Sequence, residues 1–494
     1  MTEDPGIRPH RKQYIVGPQP LRLRSDWVVQ RLGDGSWLSH CPDLLVLTAT
    51  DIEGEHWYLL GLASQTSADR PDPGDDLAAA TTATIITRYE SWAGRWTLIG
   101  GSEIHLDATG QLPCHWLIDA DGQTWASSSP AAIRGLAPGR PDLGHELVYE
   151  RGLSWIAPPI GSISGTNRLL PSQILNIETG ATRWRRLAVP AAQNDQAMAR
   201  FMHAIATGVA RLPSDEPKQL ALTAGADSRL ILAAIVAAEI DIDLFTRRSA
   251  RMSVADRQIP PRLAAAVGLT HREVLPRPAD PDRLALAMTH TDGHVSVGDA
   301  LPFVQRVRDG FTGIEIGGQG LGAGKVKHRH FPEEIGDPAE TAELLADHFG
   351  EPQQSPNRQA LRRWLELVVE HEQSQPPQDR VDWRDRIYLE QRTCGWQGAK
   401  EQLYDLHRHH RFFPINSARV LGLLLAVDQD LRRSGDHRRA LIELAEPRLL
   451  AEPFNPPGRW FGLRRRVAHL LLVDRWGIPA RVAKKLWSPV SSKR

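Results

Sequence analysis

One loop of small residues carries the clearest chemistry in this 494-residue sequence. It lies between an apolar strand-like run and an apolar helix-like run and reads Thr223-Ala224-Gly225-Ala226-Asp227-Ser228-Arg229. Amide groups at the start of a helix lack intrahelical acceptors, and the helix dipole adds positive potential there. The loop therefore predicts a binding site for phosphate or pyrophosphate.

The side chains of the loop suit such a site. Gly225 lets the backbone approach an anion closely, and the hydroxyls of Thr223 and Ser228 can donate hydrogen bonds. Asp227 is suited to Mg²⁺, which prefers hard oxygen ligands, and Arg229 offers a planar cationic fork. The alternative is a tight turn whose Asp or Ser caps the helix. The loop lacks the G-x-x-x-x-G-K-[ST] pattern of a Walker-type P-loop.

The elements around the loop predict a parallel sheet. Residues 218–246 read as a buried strand, a helix and a second strand, which is a βαβ unit with a crossover helix. A helix over 259–267 and a strand in 271–276 follow. Residues 312–325 read as a strand that ends in a glycine-rich turn, and 338–448 read as largely helical.

The first 190 residues read mainly as β-structure, with a short helical turn beginning at Pro130. Gly, Asp and Pro separate the strand-like runs 57–64, 94–107, 114–122 and 124–129, as hairpins require. The pattern becomes helical after a proline-containing segment at 187–192. We therefore predict three parts, with bounds 1–192, 193–457 and 458–494.

The composition is that of a soluble globular enzyme, with 41% hydrophobic and 24% charged residues. Lys plus Arg and Asp plus Glu both number 59, so bulk nonspecific binding of nucleic acid is not expected, and we predict no DNA partner. Three cysteines without a C-x-x-C pair fit a reducing compartment. Without a signal-peptide pattern or a long apolar run, we predict a cytoplasmic protein.

The loop resembles the S-G-G-x-D-S pyrophosphate loop of N-type ATP pyrophosphatases, with Thr223 for the first Ser and Ala224 for the first Gly. The order of features along the chain resembles the asparagine synthetase family, which includes β-lactam synthetases and lasso-peptide cyclases. The segments that carry this resemblance are 98–135, 165–186, 388–398 and 411–420.

The resemblance implies an α/β plus α+β chain. An N-terminal Ntn-hydrolase-like sandwich would precede a parallel-sheet N-type ATP pyrophosphatase domain with added helices. It implies ATP and Mg²⁺ as cofactors and an acyl-adenylate route to an amide, isopeptide or lactam bond. The substrate would carry a carboxylate and an amine, as a precursor peptide does. Thr246, Gly318 and Gly320 would join the loop in binding ATP.

One departure from the family lies at the N-terminus. Glutamine-hydrolysing members expose an N-terminal cysteine as nucleophile, whereas here Met1 is followed by Thr2 and Glu3. Thr2 is an alternative nucleophile, but it lies in a polar segment where no strand begins. We therefore predict an inactive glutaminase-like domain, and an amine that comes from the substrate.

A second departure is the loss of two acids. The family's G-E-G-x-D-E stretch corresponds to Gly318-Gln319-Gly320-Leu321-Gly322-Ala323. Asp227, ATP phosphates and waters remain to hold Mg²⁺, Glu315 is an alternative ligand, and Lys325 can replace part of the metal's charge. The loss also supports a second hypothesis, a catalytically degenerate member that acts as a binding or scaffold protein.

Tyr388 and Glu390 lie in a helix that resembles the segment carrying the acid/base carboxylate of cyclising members. Residues two apart on a helix do not face the same way, and Glu390 is the predicted catalytic group of the two. The alternative for Glu390 is a structural ion pair near Arg392.

Further positions stay open. Asp256 is either an acid near the nucleotide or a helix N-cap. Arg438 or Arg439 would fill the role of the C-terminal lysine of β-lactam synthetases, if any residue does. Residues 458–494 hold ten Lys or Arg against one acid, which indicates a basic amphipathic tail. That tail would pack on the synthetase domain or bind a membrane surface or an anionic partner. It also keeps open nucleobase adenylation in tRNA modification, although the zero net charge and the absent thiol pair count against that.

Overall fold

The structure is a computed structural model. It describes residues 8–143, 152–189, 197–249, 252–276, 278, 280–304 and 311–455. Three predictions fall outside these residues: the N-terminal Thr2, the boundary at 192/193 and the basic tail. Among the described residues, no helix combines the length and apolar character needed to cross a membrane.

The N-terminal region is built from two antiparallel six-stranded sheets. Their strands are β1 (Tyr14–Gly17), β2 (Val28–Arg31), β3 (Trp37–His40), β4 (Val46–Thr50), β5 (His56–Gln65), β6 (Trp92–Gly100), β7 (Glu103–Leu106), β8 (His115–Ile118), β9 (Thr124–Ser127), β10 (Asn167–Arg168), β11 (Gln173–Asn176) and β12 (Thr182–Trp184). One sheet has the order β10-β8-β9-β1-β3-β2 and the other β12-β11-β7-β6-β5-β4.

The alternation of side chains explains how the sheets pack. Tyr14 and Val16 on β1 and Ile99 on β6 lie in one core cluster between the sheets. Ile15 lies in a second cluster with the short helix α3 (Pro130–Arg134), and Trp96 in a third with the helices α1 (Pro73–Ala78) and α2 (Ile85–Tyr89). Successive residues of a strand face opposite sides, so each sheet has apolar contacts on both faces. The predicted sandwich is present, and its relation to Ntn hydrolases stays a prediction.

The second region contains the predicted parallel sheet. After helix α4 (Ala197–Ala210) come β13 (Lys218–Ala221), α5 (Ala226–Ala237), β14 (Asp243–Arg247), α6 (Val254–Ala266), β15 (His271–Val274), α7 (Pro281–Thr291), α8 (Val297–Val304), β16 (Ile314–Ile316) and β17 (His410–Phe412). The strand order is β15-β14-β13-β16-β17, and every pair is parallel. The βαβ unit predicted over 218–246 is confirmed.

Helices fill most of the chain between and after the last two strands, as predicted for 338–448. They are α9 (Pro338–Phe349), α10 (Pro356–Ser374), α11 (Trp383–Arg386), a π-helix (Ile387–Gln397), α12 (Gly398–Tyr404), α13 (Ala418–Leu425), α14 (Gln429–Ser434) and α15 (Asp436–Ala445). Single 3₁₀ turns cover Leu321–Gly324, Pro377–Asp379 and Pro447–Leu450. Side-chain caps begin several helices, for example Asp337 before α9 and Ser417 before α13.

Buried polar contacts join the two regions. The fully buried carboxylate of Asp107, in the segment after β7, accepts hydrogen bonds from the backbone of Gln111 and Leu112 and from Asn416 Nδ2 at 2.8 Å. Arg95 on β6 forms a buried ion pair with Asp405, whose closest N–O distance is 2.6 Å. Asp405 and Asn416 flank β17, so these contacts fix the sandwich against the edge of the parallel sheet that β17 forms.

Candidate active site

A cavity of about 350 Å³ opens where β13 and β16 end. Their order in the sheet makes this a topological switch point, because the chain leaves β13 toward β14 on one side while β16 lies on the other. Ligands of open parallel sheets bind at such points. Two other cavities measure about 10 and 20 Å³, too small for a nucleotide.

The loop after β13 forms one wall of this cavity. Thr223, Asp227 and Ser228 line it, and Gly225 is the residue that precedes helix α5. The hydroxyls of Thr223 and Ser228 lie 3.1 Å apart, and the Gly225 amide donates to Thr223 Oγ1 at 3.2 Å. The amides of the first helical turn have no intrahelical acceptor, so hydroxyl and amide donors meet at this wall.

Asp256 holds this loop from behind and does not line the cavity. Its Oδ1 accepts the Ala224 amide at 2.9 Å. Its own amide donates to Oγ of Ser253, the N-cap of α6, at 3.0 Å. The N-cap of this helix is therefore Ser253 and not Asp256, and the Ala224 amide is already satisfied within the protein.

Arg229 is turned away from the cavity. Its side chain is fully buried, and its guanidinium donates to the carbonyls of Ala224, Leu449, Glu452 and Pro453. The structure thus places this predicted phosphate ligand where it joins the loop to the segment after α15. Burial is the main reason that the pKa of Arg229 is lowered to about 10, and nearby Arg439 adds to the effect.

Asp227 faces the cavity but lies between two cations. Lys325 Nζ is 3.3 Å from Oδ2, and Arg438 Nε is 3.2 Å from Oδ1. Among the described residues, no group of three His, Cys, Asp or Glu side chains could hold a metal ion. Mg²⁺ prefers a shell of oxygens, so the surroundings of Asp227 do not fit the predicted magnesium site.

The glycine-rich loop after β16 forms the opposite wall. Gly318 lines the cavity, whereas Gly320, with φ of 98°, packs against Ile415. A Cβ on Gly322 would overlap the Tyr388 ring, so only glycine lets this ring pack on the loop. Gln319 Nε2 donates to Glu401 at 2.9 Å.

Tyr388 and Glu390 point in different directions, as their spacing predicts. Tyr388 lines the cavity, and burial is the main cause that raises its pKa. Glu390 is fully buried outside the cavity lining, where it accepts hydrogen bonds from Ser172, from Trp364 Nε1 at 2.7 Å and from Arg386. Burial favours a raised pKa for Glu390, but the charge and hydrogen bonds of Arg386, with those of Ser172 and Trp364, lower it.

Glu390 thus forms a structural ion pair, which is the alternative that the sequence left open, but its partner is Arg386 and not Arg392.

The predicted nucleotide ligand Thr246 also has other contacts. Its Oγ1 donates to the Leu222 carbonyl at 2.7 Å and lies 2.9 Å from His271 Nε2. Neither Thr246 nor Ala226 lines the cavity, although Ala226 is the first residue of α5.

Sequence reasoning missed an ion network at the end of the central strands. Glu315, considered above as a metal ligand, bonds to Arg247 and Arg411, and Arg411 Nε also bonds to Glu401 at 3.0 Å. Burial opposes ionisation of Glu315, but the two arginines outweigh it and hold its pKa well below the usual range. Glu315 and Arg411 are register partners on adjacent strands. A charged residue inside the apolar run Gly313–Gly317 is the signal that points to this network.

None of the three cysteine thiols, two in the N-terminal region and one in the π-helix, is activated. Cys41, Cys114 and Cys394 are all buried and unpaired. Burial raises the pKa of Cys41, and it raises that of Cys114 to about 12 and that of Cys394 to about 11. All three thiols are therefore protonated near neutral pH, which makes them poor nucleophiles.

Comparison with known proteins gives little. No family model matches the chain, and no curated protein matches it. Among solved structures, the chain is similar to NMN synthetase from Francisella tularensis, with 13% identity, a TM-score of 0.20, and coverage of 43% of this chain and 92% of that one. A likeness this slight supports no conclusion about fold or function.

Proposed function

We propose that this chain is an ATP-dependent ligase that joins a carboxylate to an amine through an acyl-adenylate. The observation that supports this proposal most directly is the cavity at the switch point of the parallel sheet. There the N-terminus of α5, with the hydroxyls of Thr223 and Ser228, faces the cations Lys325 and Arg438. Donors and positive charge converge where a pyrophosphate leaving group would need them.

The proposed reaction has two steps. An oxygen of the substrate carboxylate attacks the α-phosphorus of ATP, and the bond to the β-phosphate breaks, which releases pyrophosphate. The amine nitrogen then attacks the acyl carbon of the adenylate, and the acyl–phosphate bond breaks, which releases AMP. In this proposal Thr223, Ser228 and the amides of α5 stabilise the charge that develops on pyrophosphate. Tyr388, Gln319 and Gln397 line the rest of the cavity.

The amine must lose a proton, and the described carboxylates at the cavity are engaged. Glu315 is paired with Arg411, and Asp227 with Lys325. Tyr388 has a raised pKa, so it is a hydrogen-bond donor and not a base. We therefore propose that the phosphate of the departing AMP takes the amine proton.

The amine source follows from the N-terminal region. Because its described cysteines are buried and protonated, we propose that this region is structural and that no glutamine is hydrolysed. The amine then belongs to the substrate, such as a precursor peptide in natural-product maturation. A short precursor-peptide gene beside this one would support peptide cyclisation.

The test is nucleotide turnover with a surrogate amine. The full chain is incubated with ATP, a panel of carboxylic acids and peptides, and hydroxylamine, with and without Mg²⁺. The expected result is release of AMP and pyrophosphate that depends on both the carboxylate and hydroxylamine. If neither product forms with any member of the panel in either condition, the ligase proposal fails.

A second candidate is a binding or scaffold protein that keeps the fold without turnover. It is favoured by the acid-free glycine loop and by the two cations on Asp227. Calorimetry with ATP separates the two candidates before any substrate is known. A scaffold without nucleotide chemistry shows no heat of ATP binding, whereas the ligase binds ATP.

A further inference from the structure

Arg438 has donors that the protein leaves unused. It lies on α15, and its side chain is only 14% exposed. Its Nε is 3.2 Å from Asp227, yet neither Nε nor Nη2 makes a hydrogen bond to any described residue, and both atoms are buried. A buried guanidinium with free donors beside a cavity is suited to bind an anion.

Positive charge exceeds negative charge around Asp227. Lys325 contacts it directly, and the Lys327 ammonium lies 5.6 Å from the centre of the Tyr388 ring, which lines the same cavity. Burial first, and then the charges of Lys325, Arg392 and Arg438, lower the pKa of Lys327, while Asp227 opposes this shift. Lys325 and Arg438 in contact with Asp227, and Lys327 acting on it electrostatically, are therefore three cations for one carboxylate.

The same residues are poor ligands for a metal. A divalent cation at Asp227 would lie beside Lys325 and Arg438 and would be repelled by both. The other carboxylate that lines the cavity, Glu315, is bonded to Arg411. The described part of the chain thus offers polyphosphate a cationic cradle in the place where Mg²⁺ was predicted.

We propose that Lys325 and Arg438 bind the polyphosphate chain directly and replace the divalent cation, while Asp227 is the counterion of the two cations in the absence of the anion and is not a metal ligand. This inference rests on the proposed nucleotide chemistry for the class of ligand, a di- or triphosphate. Lys325 and Arg438 are then the ligand-binding residues, and Asp227 is no longer a metal ligand.

The experiment titrates the full chain with inorganic pyrophosphate and with ATP, in EDTA and in Mg²⁺, by calorimetry. Both ligands are expected to bind in EDTA. Lys325→Gln and Arg438→Gln should each weaken this binding by about tenfold, because each removes a charge-assisted contact. Arg433→Gln, an exposed arginine on the neighbouring helix α14, is the matched control and should leave binding unchanged.

The direction in which Asp227→Asn changes the binding affinity distinguishes a metal ligand from a counterion of Lys325 and Arg438. A metal ligand lost at Asp227 weakens Mg²⁺-dependent binding, whereas loss of the competing carboxylate tightens binding of pyrophosphate in EDTA. Binding that requires Mg²⁺ and disappears in Asp227→Asn overturns this inference and leaves the ligase proposal standing. Pyrophosphate binding in EDTA without any turnover supports the inference and counts against the ligase. Absence of binding in both conditions overturns the inference.

Discussion

Asp227 and Glu390 are both held by cations, but their surroundings differ. Glu390 is fully buried, and Ser172, Trp364 and Arg386 satisfy its two oxygens. Asp227 is 39% exposed at the cavity, and one of its cations keeps unused donors. A buried acid with a complete set of partners stabilises the fold, whereas an exposed acid in an excess of positive charge marks a place for a ligand.

Glu390→Ala has the largest expected effect and is the strongest test of the difference between Asp227 and Glu390. This change leaves Arg386 buried without its counterion, and loss of one partner of a buried pair costs about 3–5 kcal/mol of unfolding free energy. Urea denaturation measures it. The control Glu366→Ala, in a surface pair with Arg362, should change the unfolding free energy by less than about 0.5 kcal/mol. A stable Glu390→Ala protein that has lost turnover would return Glu390 to a catalytic role.

The dependence of the unfolding free energy on pH tests whether Glu390 is ionised in the folded chain. The pKa of Glu390 in the folded chain is below its ordinary value of 4.5, because Arg386 outweighs the effect of burial. A depressed pKa contributes stability that is present above pH 4.5 and is lost as the pH falls through the folded pKa. The difference in unfolding free energy between the native chain and Glu390→Gln should therefore shrink as the solution is acidified. A difference that does not depend on pH would contradict an ionised Glu390.

Gly322→Ala tests the wall of the cavity. Its new Cβ would overlap the Tyr388 ring, and overpacking of this kind costs about 1–3 kcal/mol of unfolding free energy. Thermal unfolding measures the cost. Gly336→Ala is the matched control, because a Cβ there meets no atom within 4 Å. Equal stability of the two variants would show that Tyr388 does not pack on Gly322.

The smallest effect on stability is expected for Asp227→Asn. Its pair with Lys325 is more than one third exposed on both sides, and exposed pairs contribute about 1 kcal/mol or less. Urea denaturation, run beside Glu390→Ala, measures the contrast directly. A loss for Asp227→Asn as large as that for Glu390→Ala would remove the distinction between the two carboxylates.

The strands and the loop between β13 and α5 could be predicted because their signals are local. Strand-like runs separated by Gly, Asp and Pro predicted β5 and β9, and an apolar run followed by small residues predicted β13 and α5. Even the opposed directions of Tyr388 and Glu390 followed from their spacing. The π-helical turn that carries both had no comparable signal in the sequence.

Side-chain partners from distant segments could not be predicted. Arg229 follows the loop in sequence and was expected to bind phosphate, but carbonyls of the segment 449–453 satisfy it. Glu390 was expected to be catalytic, but Ser172 of the sandwich and Trp364 of α10 bind it. These outcomes depend on which segments pack together, and the residues themselves do not encode that locally.

The contacts of Arg229 also determine at which point of synthesis the site can form. Three of its four acceptors, the carbonyls of Leu449, Glu452 and Pro453, lie in one short segment far along the chain, and the amide of Asn455 donates to Ala224 in the loop. When the last strand of the parallel sheet has just been synthesised, these partners have not yet been made. The loop after β13 therefore reaches the form described here only after residues 449–455 have been synthesised, so a truncated chain ending before residue 449 would lack it.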